Sequence, residues 1–227
     1  MNRVVMSWSG GKDGALALAQ LLEDGRFEVA ALLTTVTTDY DRISMHGVRR
    51  SLLEQQAASL GLPLEIVPIS KNASNDEYES SMARMLQKHR DSGVTAVAFG
   101  DIFLEDLRKY REDKLKLADM SAVFPIWKRE TRELARSFIS RGFRAITTCV
   151  DTAALDGRFV GREIDEGFLL ELPAGVDPCG ENGEYHSFVY AGPIFSTPIR
   201  VVTGEKVLRD GRFLFCDLVE DPAGAHR

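Results

Sequence analysis

Along the chain, short apolar runs alternate with stretches in which apolar residues recur every three or four positions. Residues 4–8 (VVMSW) are a short, mainly apolar run ended by the glycines that follow, the pattern of a buried strand. From Gly14 onward, Leu16, Leu18, Leu21 and Leu22 interleave with Ala15, Ala17 and Ala19, which predicts a helix that closes before Gly25. Residues 27–36 (FEVAALLTTV) read as a second strand, 52–60 as a helix stopped by Gly61, and 64–69, after Pro63, as a third strand. An amphipathic helix is predicted over 76–89, ending near Gly93, and a fourth strand over 95–99. Charged helices follow over 104–120 and 131–141, then a fifth strand over 145–150.

Strands that alternate with helices in this way predict a doubly wound parallel sheet with helices on both faces. Such sheets take their ligands at the carboxyl ends of the strands. The least ordinary residues fall there: the glycine turn after strand one, Thr34 and Thr35 near the end of strand two, and Gly100 and Asp101 after strand four. Beyond residue 150, glycine and proline punctuate short segments, and residues 199–208 and 213–219 read as a hairpin closed by Asp210-Gly211, a pair suited to a type I′ turn. The division expected is a doubly wound domain over 1–150 and a smaller α+β domain over 151–227. Neither an internal repeat nor a low-complexity tract is visible.

Composition narrows the class. A chain of 227 residues, 44% hydrophobic and 27% charged, has the make-up of a globular protein with a sizeable core. A net charge of −6 argues against a broad nucleic-acid footprint, which rests on clustered Lys and Arg. The basic run at 108–111 is balanced by Glu112 and Asp113 and reads as a solvated helix face. Cys149, Cys179 and Cys216 are far apart, without metal-ligand spacing, as expected in a reducing compartment. The first residues lack the apolar core of a signal peptide, and no run approaches the roughly 18 apolar residues of a membrane span. A cytoplasmic protein with no membrane partner is the expectation.

The stretch Ser9-Gly10-Gly11-Lys12-Asp13-Gly14 carries the chemistry. It is not G-x-x-x-x-G-K-[ST], since Asp13 stands where the hydroxyl belongs and Met6 where the first glycine belongs. The spacing of Gly10, Gly11 and Gly14 also fails the dinucleotide pattern G-x-G-x-x-G. What remains is a strand, a tight turn and a helix N-terminus, whose free N–H groups and positive dipole end favour an anion. Ser9 adds a hydroxyl and Lys12 a cation. Asp13 would repel a bare phosphate, so the expected ligand is a polyphosphate with Mg²⁺.

Residues 9–13, SGGKD, resemble the PP-loop of the ATP pyrophosphatases, which cleave ATP between the α and β phosphates. The segments MHGV (45–48), FGDI (99–102), FPIW (124–127) and above all DPCGENGEYHSFVYAGPIF (177–195) resemble the diphthine–ammonia ligase, or diphthamide synthase-like, branch of that superfamily, over nearly the whole chain. The resemblance implies a PP-loop, HUP-like fold. It also implies an ATP-dependent ligase in which a carboxylate attacks the α phosphate, pyrophosphate leaves and ammonia displaces AMP. On that basis Ser9, Gly10, Gly11, Lys12 and Asp13 hold the pyrophosphate portion, and Gly180-Glu181-Asn182-Gly183-Glu184 faces the reacting centre. This chain has Gly14 where the superfamily loop has a second serine, which removes one hydroxyl contact. It also has GENGEYHS where better-known diphthamide enzymes resemble GEGGEYET, so Asn182, His186 and Ser187 change the substrate side, and the acceptor is expected only as a carboxylate, on a small molecule or a modified protein side chain.

The sites expected from this reading are Lys12, Asp13, Glu181 and Glu184 for catalysis, and Ser9, Gly10, Gly11, Lys12, Asp13, Gly14, Thr34, His46, Gly100 and Asp101 for the nucleotide. Glu181, Asn182, Gly183, Glu184 and His186 are expected to meet the substrate, and Asp13 and Asp101 the Mg²⁺. Several residues have a plainer role open to them. Glu181 and Glu184 fit Mg²⁺, ammonia or a solvated turn; His186 fits proton transfer; Asp101 fits Mg²⁺ or a helix cap; His46 fits the adenine or a helix start. Cys179 reads as a packed residue, and Trp8 and Trp127 as core or cleft wall. The rival functions are a tRNA-modifying PP-loop enzyme and a non-catalytic ATP- or AMP-binding module; homo-oligomerisation stays open.

Overall fold

The computed structural model of the chain describes residues 1–43 and 46–221; Met45, the first residue of the MHGV segment, lies outside the described residues. The chain divides into two compact units, residues 1–9, 13–44 and 62–128 in one and residues 10–12, 45–61 and 129–227 in the other. No helix among the described residues is long and apolar enough to cross a membrane.

The first unit is built on a six-stranded, mainly parallel sheet of β1 (Asn2–Ser7), β2 (Phe27–Thr37), β3 (Arg42–Ile43), β4 (Leu64–Ile69), β5 (Ala96–Ala98) and β6 (Ser121–Val123). Strands β4, β2, β1, β5 and β6 run parallel in that order, and β3 pairs antiparallel with the far end of β2. The chain moves outward from β1 through β2 to β4, then returns to the other side of β1 for β5 and β6. The order therefore reverses between β1 and β5, and the expected glycine turn and Gly100 follow those two strands. Alternation along the strands separates two faces. Val5, Leu33, Val67 and Val97 share a buried cluster with Leu86 of α3 (Asn75–Asp91) and Leu115 of α4 (Glu105–Lys116). On the opposite face, Met6 and Trp8 approach Gly14 of α1 (Lys12–Glu23), whose Ala15 to Ala19 are all buried. This is the doubly wound arrangement. Helix α3 starts where Ser74 and Glu77 form a reciprocal capping box.

Helix α2 (Arg50–Leu60) belongs to the second unit and ends at Gly61, whose φ of 67° places it in the left-handed region that closes a helix. The unit's sheet is antiparallel, in the order β8 (Tyr185–Ala191), β7 (Arg144–Asp151), β10 (Phe213–Glu220), β9 (Val201–Arg209), with α5 (Thr131–Ser140) and the short α6 (Glu166–Glu171). The hairpin forms as expected, with Asp210 at φ 51° and Gly211 at φ 62°, the two positive angles a type I′ turn requires.

One strand departs from the expectation. Residues 145–150 do not extend the parallel sheet; they lie in β7, antiparallel to both β8 and β10. A strand buried on both faces gives the same continuous pattern in either kind of sheet, so periodicity does not separate them. The fifth parallel place belongs to β6, a three-residue strand too short to show a period.

Candidate nucleotide and substrate site

In the first unit, the candidate site is the switch point of the sheet. The Trp8 N–H donates to the Leu33 carbonyl at 2.8 Å, carrying the β1 ladder one residue beyond the strand before Ser9 leaves it. Gly100, directly after Phe99, lies on the first turn of α1: a Cβ there would stand 2.8 Å from the Gly14 nitrogen and 2.9 Å from the Asp13 carbonyl carbon. Backbone thus meets backbone at the place where an open α/β sheet receives its ligand. Thr34 is buried on β2, its register partner being Ile66. Asp101 is held by Arg111, with Nε 2.6 Å from Oδ2 and Nη2 donating to Oδ1 at 3.1 Å. Burial raises the Asp101 pKa, and the Arg111 cation opposes the rise. Arg111 also covers the Phe99 ring at 4.2 Å, and Arg108 lies over Phe124 and Trp127 at 4.9 and 4.7 Å. Trp127 is therefore engaged with a cation, whereas Trp8 is core, 2% exposed.

Gly14 has room that Gly100 lacks. A Cβ at Gly14 meets nothing closer than the Trp8 ring at 3.7 Å, an ordinary contact. Gly14→Ser is expected to gain about 0.5 kcal/mol of helix propensity and to supply the absent hydroxyl. Urea unfolding and titration with a non-hydrolysable Mg-ATP analogue check this; a lower midpoint together with weaker binding would refute it.

The second unit holds Gly10, Gly11 and Lys12 together with the 177–195 segment. Gly10, at φ 79°, accepts from the Val189 N–H at 2.8 Å and from the Gln56 amide at 3.1 Å, while the same amide donates to the Val189 carbonyl at 2.6 Å. Gln56 is wholly buried and braces the turn. Its only signal in the sequence is a glutamine on the apolar face of a helix, between Leu53 and Ala57. Lys12 is 2% exposed; its N–H donates to the Ser187 hydroxyl at 3.2 Å and its ammonium to the Cys179 carbonyl, with the Tyr185 ring 5.2 Å from Nζ. The backbone and side-chain donors of Lys12 are thus partnered by the 177–195 segment.

That segment is held by its own carboxylates. Asp177 Oδ1 accepts from the Cys179 and Glu181 N–H groups at 2.9 and 3.2 Å. Glu184, buried, accepts from the backbone N–H groups of Asp177 and Asn182, both at 3.0 Å, and from the Asn182 side chain at 3.1 Å. Gly180 and Gly183, at φ 67° and 87°, make the bends that close these rings. Glu184 is therefore a brace of the loop, with Glu181 half-buried and Asn182 exposed beside it. Cys179 is buried, its thiol donating to the Thr131 carbonyl at 3.3 Å, which fits a packed residue.

His46 and His186 stand together, ring centroids 4.5 Å apart. Burial, the neighbouring His186 and Lys12 push His46 down to about 3, and burial and Lys12 push His186 down to about 4. Both rings are neutral at pH 7, and the buried Nδ1 of His46 has no hydrogen-bond partner, leaving a ring nitrogen for a ligand. Because the folded pKa values lie below the ordinary 6.5, the unfolded chain binds more protons as the pH falls through that range. Stability contributed by the neutral rings is complete above about pH 6.5 and lost from there toward pH 3, at up to about 1.4 kcal/mol per pH unit per ring. Urea midpoints measured between pH 7 and 4.5 should fall steeply, and His186→Asn should flatten the slope; an identical slope in the variant would exclude this origin. Among the described residues no group of three or more His, Cys, Asp or Glu side chains is placed to hold a metal ion.

Comparison with known proteins matches both parts of the chain to one family. The model of the diphthamide synthase N-terminal domain matches residues 1–116, and that of the diphthamide synthase C-terminal domain matches residues 130–218. Similar curated proteins include the diphthine–ammonia ligases of Bos taurus, 26% identical with 90% of this chain and 85% of that protein covered, and of Danio rerio, 27% identical with 91% and 89% covered. That of Homo sapiens is 26% identical, with 91% of this chain and 85% of that protein covered.

Proposed function

The chain belongs to the diphthamide synthase family, and from that premise we propose that it is an ATP-dependent ligase that activates a carboxylate and joins it to ammonia, the acceptor being diphthine or a related side chain. The observation that carries the reading is the apposition of Gly100 on the first turn of α1, which puts the glycine turn at the switch point of a parallel sheet. Backbone N–H groups and a buried lysine at that point suit a polyphosphate, because preorganised donors stabilise charge that develops on phosphoryl oxygens.

The chain's own residues would act as follows. Lys12 exchanges the Cys179 carbonyl for a phosphate oxygen, and the Lys12 N–H exchanges the Ser187 hydroxyl in the same way. Ser9, Gly10, Gly11, Asp13 and Gly14 complete the cradle, and Gln56 holds Gly10 in its left-handed conformation. The bare His46 Nδ1 accepts an N–H from the base or from ammonia. Glu181 and Asn182 meet the acceptor, positioned by the Glu184 brace. Asp13 would offer a carboxylate for Mg²⁺, which when bound would neutralise phosphate charge, whereas Asp101 is already engaged by Arg111 and would reach the ion only by giving up that pair. The acceptor carboxylate would attack the α phosphate, releasing pyrophosphate, and ammonia would then displace AMP from the acyl adenylate.

The sulfur-transfer alternative finds little support, since burial pushes the Cys149 thiol up to about 12 and all three cysteines are buried. The test is acceptor-dependent exchange of labelled pyrophosphate into ATP, with AMP formed only when ammonium is added. ADP as the nucleotide product, or an absence of exchange with every carboxylate acceptor including a diphthine-bearing protein, would overturn the reading, and Mg-ATP binding without exchange would favour the binding module.

A further inference from the structure

Helix α5 carries two arginines in places that helix energetics disfavour. Arg132 lies in the first turn, where a cation opposes the positive end of the dipole, and Arg136 follows it at the i,i+4 spacing at which like charges repel. Neither guanidinium has an ion pair or a hydrogen bond among the described residues. In the same unit, Arg144 is paired with Glu163, Arg162 with Glu171 and Arg212 with Asp151. Arg129 and Arg200 of this unit also have no ion pair among the described residues; what distinguishes Arg132 and Arg136 is that the two lie one turn apart and line the same cleft.

Both border a cleft of the second unit whose apolar lining includes Leu169, Leu170, Pro173 and Val176. Leu170 is 82% exposed on its rim, while Leu169 and Val176 are buried at its floor. The cleft also touches the candidate substrate loop through Pro178, whose carbonyl accepts from the Tyr185 hydroxyl at 2.6 Å, and the next residue, Cys179, bonds Thr131 at the start of α5.

We propose that this cleft docks an acidic peptide segment of the protein that carries the acceptor carboxylate, with an apolar side chain seated against Leu169 and Val176 and flanking carboxylates paired with Arg132 and Arg136. Bidentate arginine–carboxylate pairs supply orientation, and the apolar floor offers contact that an apolar side chain uses and a simple anion does not. Glu166 on the rim disfavours a ligand whose charge is spread all round, so the carboxylates fall on the α5 side. The identity of the docked protein rests on the ligase reading; the chemistry of the cleft does not.

The test is panning of a phage-displayed random heptapeptide library against the full chain, with counter-selection on Arg132→Gln/Arg136→Gln. Enriched peptides should combine Asp or Glu with Leu, Ile, Met or Phe. As synthetic peptides they should bind the full chain at least tenfold more tightly than the double variant, and replacing their carboxylates by amides should cause the same loss. Leu170→Glu, at an exposed position, should weaken binding without touching either arginine. Peptides without carboxylates, equal affinity for the double variant and the unaltered chain, or displacement by tripolyphosphate as readily as by unlabelled peptide would each overturn the proposal. Both variants are also titrated with the Mg-ATP analogue, which they should bind as the unaltered chain does. Absence of ATP binding in the unaltered chain would count against the ligase reading and leave the peptide result standing.

Discussion

Lys12→Ala is expected to lower affinity for a non-hydrolysable Mg-ATP analogue by a hundredfold or more in calorimetric titration. Lys12 is buried at the start of α1, so its ammonium acts where solvent screens little. Removing one partner of a buried, hydrogen-bonded charge pair costs about 2–5 kcal/mol, and about 1.4 kcal/mol is a tenfold change in affinity. The effect on folding should be far smaller, because two terms oppose. The substitution strips the Cys179 carbonyl of a donor, which costs about 1–3 kcal/mol, and it also releases a buried cation from its desolvation penalty. Large loss of binding with a nearly unchanged urea midpoint is thus the signature of a ligand-binding lysine. Loss of stability with unchanged nucleotide affinity would mean that Lys12 serves only to hold the 177–195 segment.

Residues that act through local backbone chemistry were the legible ones. The turn after β1, the Gly61 stop and the Asp210-Gly211 hairpin each follow from conformational preferences that a few adjacent residues declare. The alternation of strands and helices likewise placed Gly100 and Asp101 after a strand, hence at a carboxyl end. What stayed hidden depends on partners distant in sequence. Nothing near Glu184 announces that both its oxygens are taken by its own loop, since the bond to the Asp177 N–H exists only once Gly180 and Gly183 have bent the chain. Asp101 reads as an available carboxylate until Arg111, ten residues on, is seen to close over it. Residues 145–150 carry the burial of a central strand, and only pairing decides in which sheet. Gln56 and the pair Arg132 and Arg136 lie between these cases. Each violates a local rule, a polar group on an apolar face or a first-turn cation with a second cation four residues on, and such violations mark positions whose reason lies outside their own element.

Gly100→Ala is expected to damage stability and binding together. Gly100 does not occupy the left-handed region, so alanine meets no backbone penalty of its own; the conflict is with the Gly14 nitrogen at 2.8 Å, the Asp13 carbonyl carbon at 2.9 Å and the Asp13 oxygen at 3.0 Å. No rotamer relieves a clash with main chain. Either the end of β5 or the start of α1 must move by several tenths of an ångström, a distortion that costs about 1–3 kcal/mol in a packed region, or about 2–4 °C in melting temperature per kcal/mol at this size. The same movement carries the first-turn N–H groups away from the position a phosphate would take, so affinity for the Mg-ATP analogue should fall more than tenfold. Gly25→Ala supplies the contrast, because a Cβ there meets nothing within 4 Å and should leave both measurements unchanged. Gly100→Ala with unaltered melting and unaltered affinity would show that the apposition of β5 and α1 tolerates expansion, and the assignment of the switch point as the nucleotide site would lose the observation on which it stands.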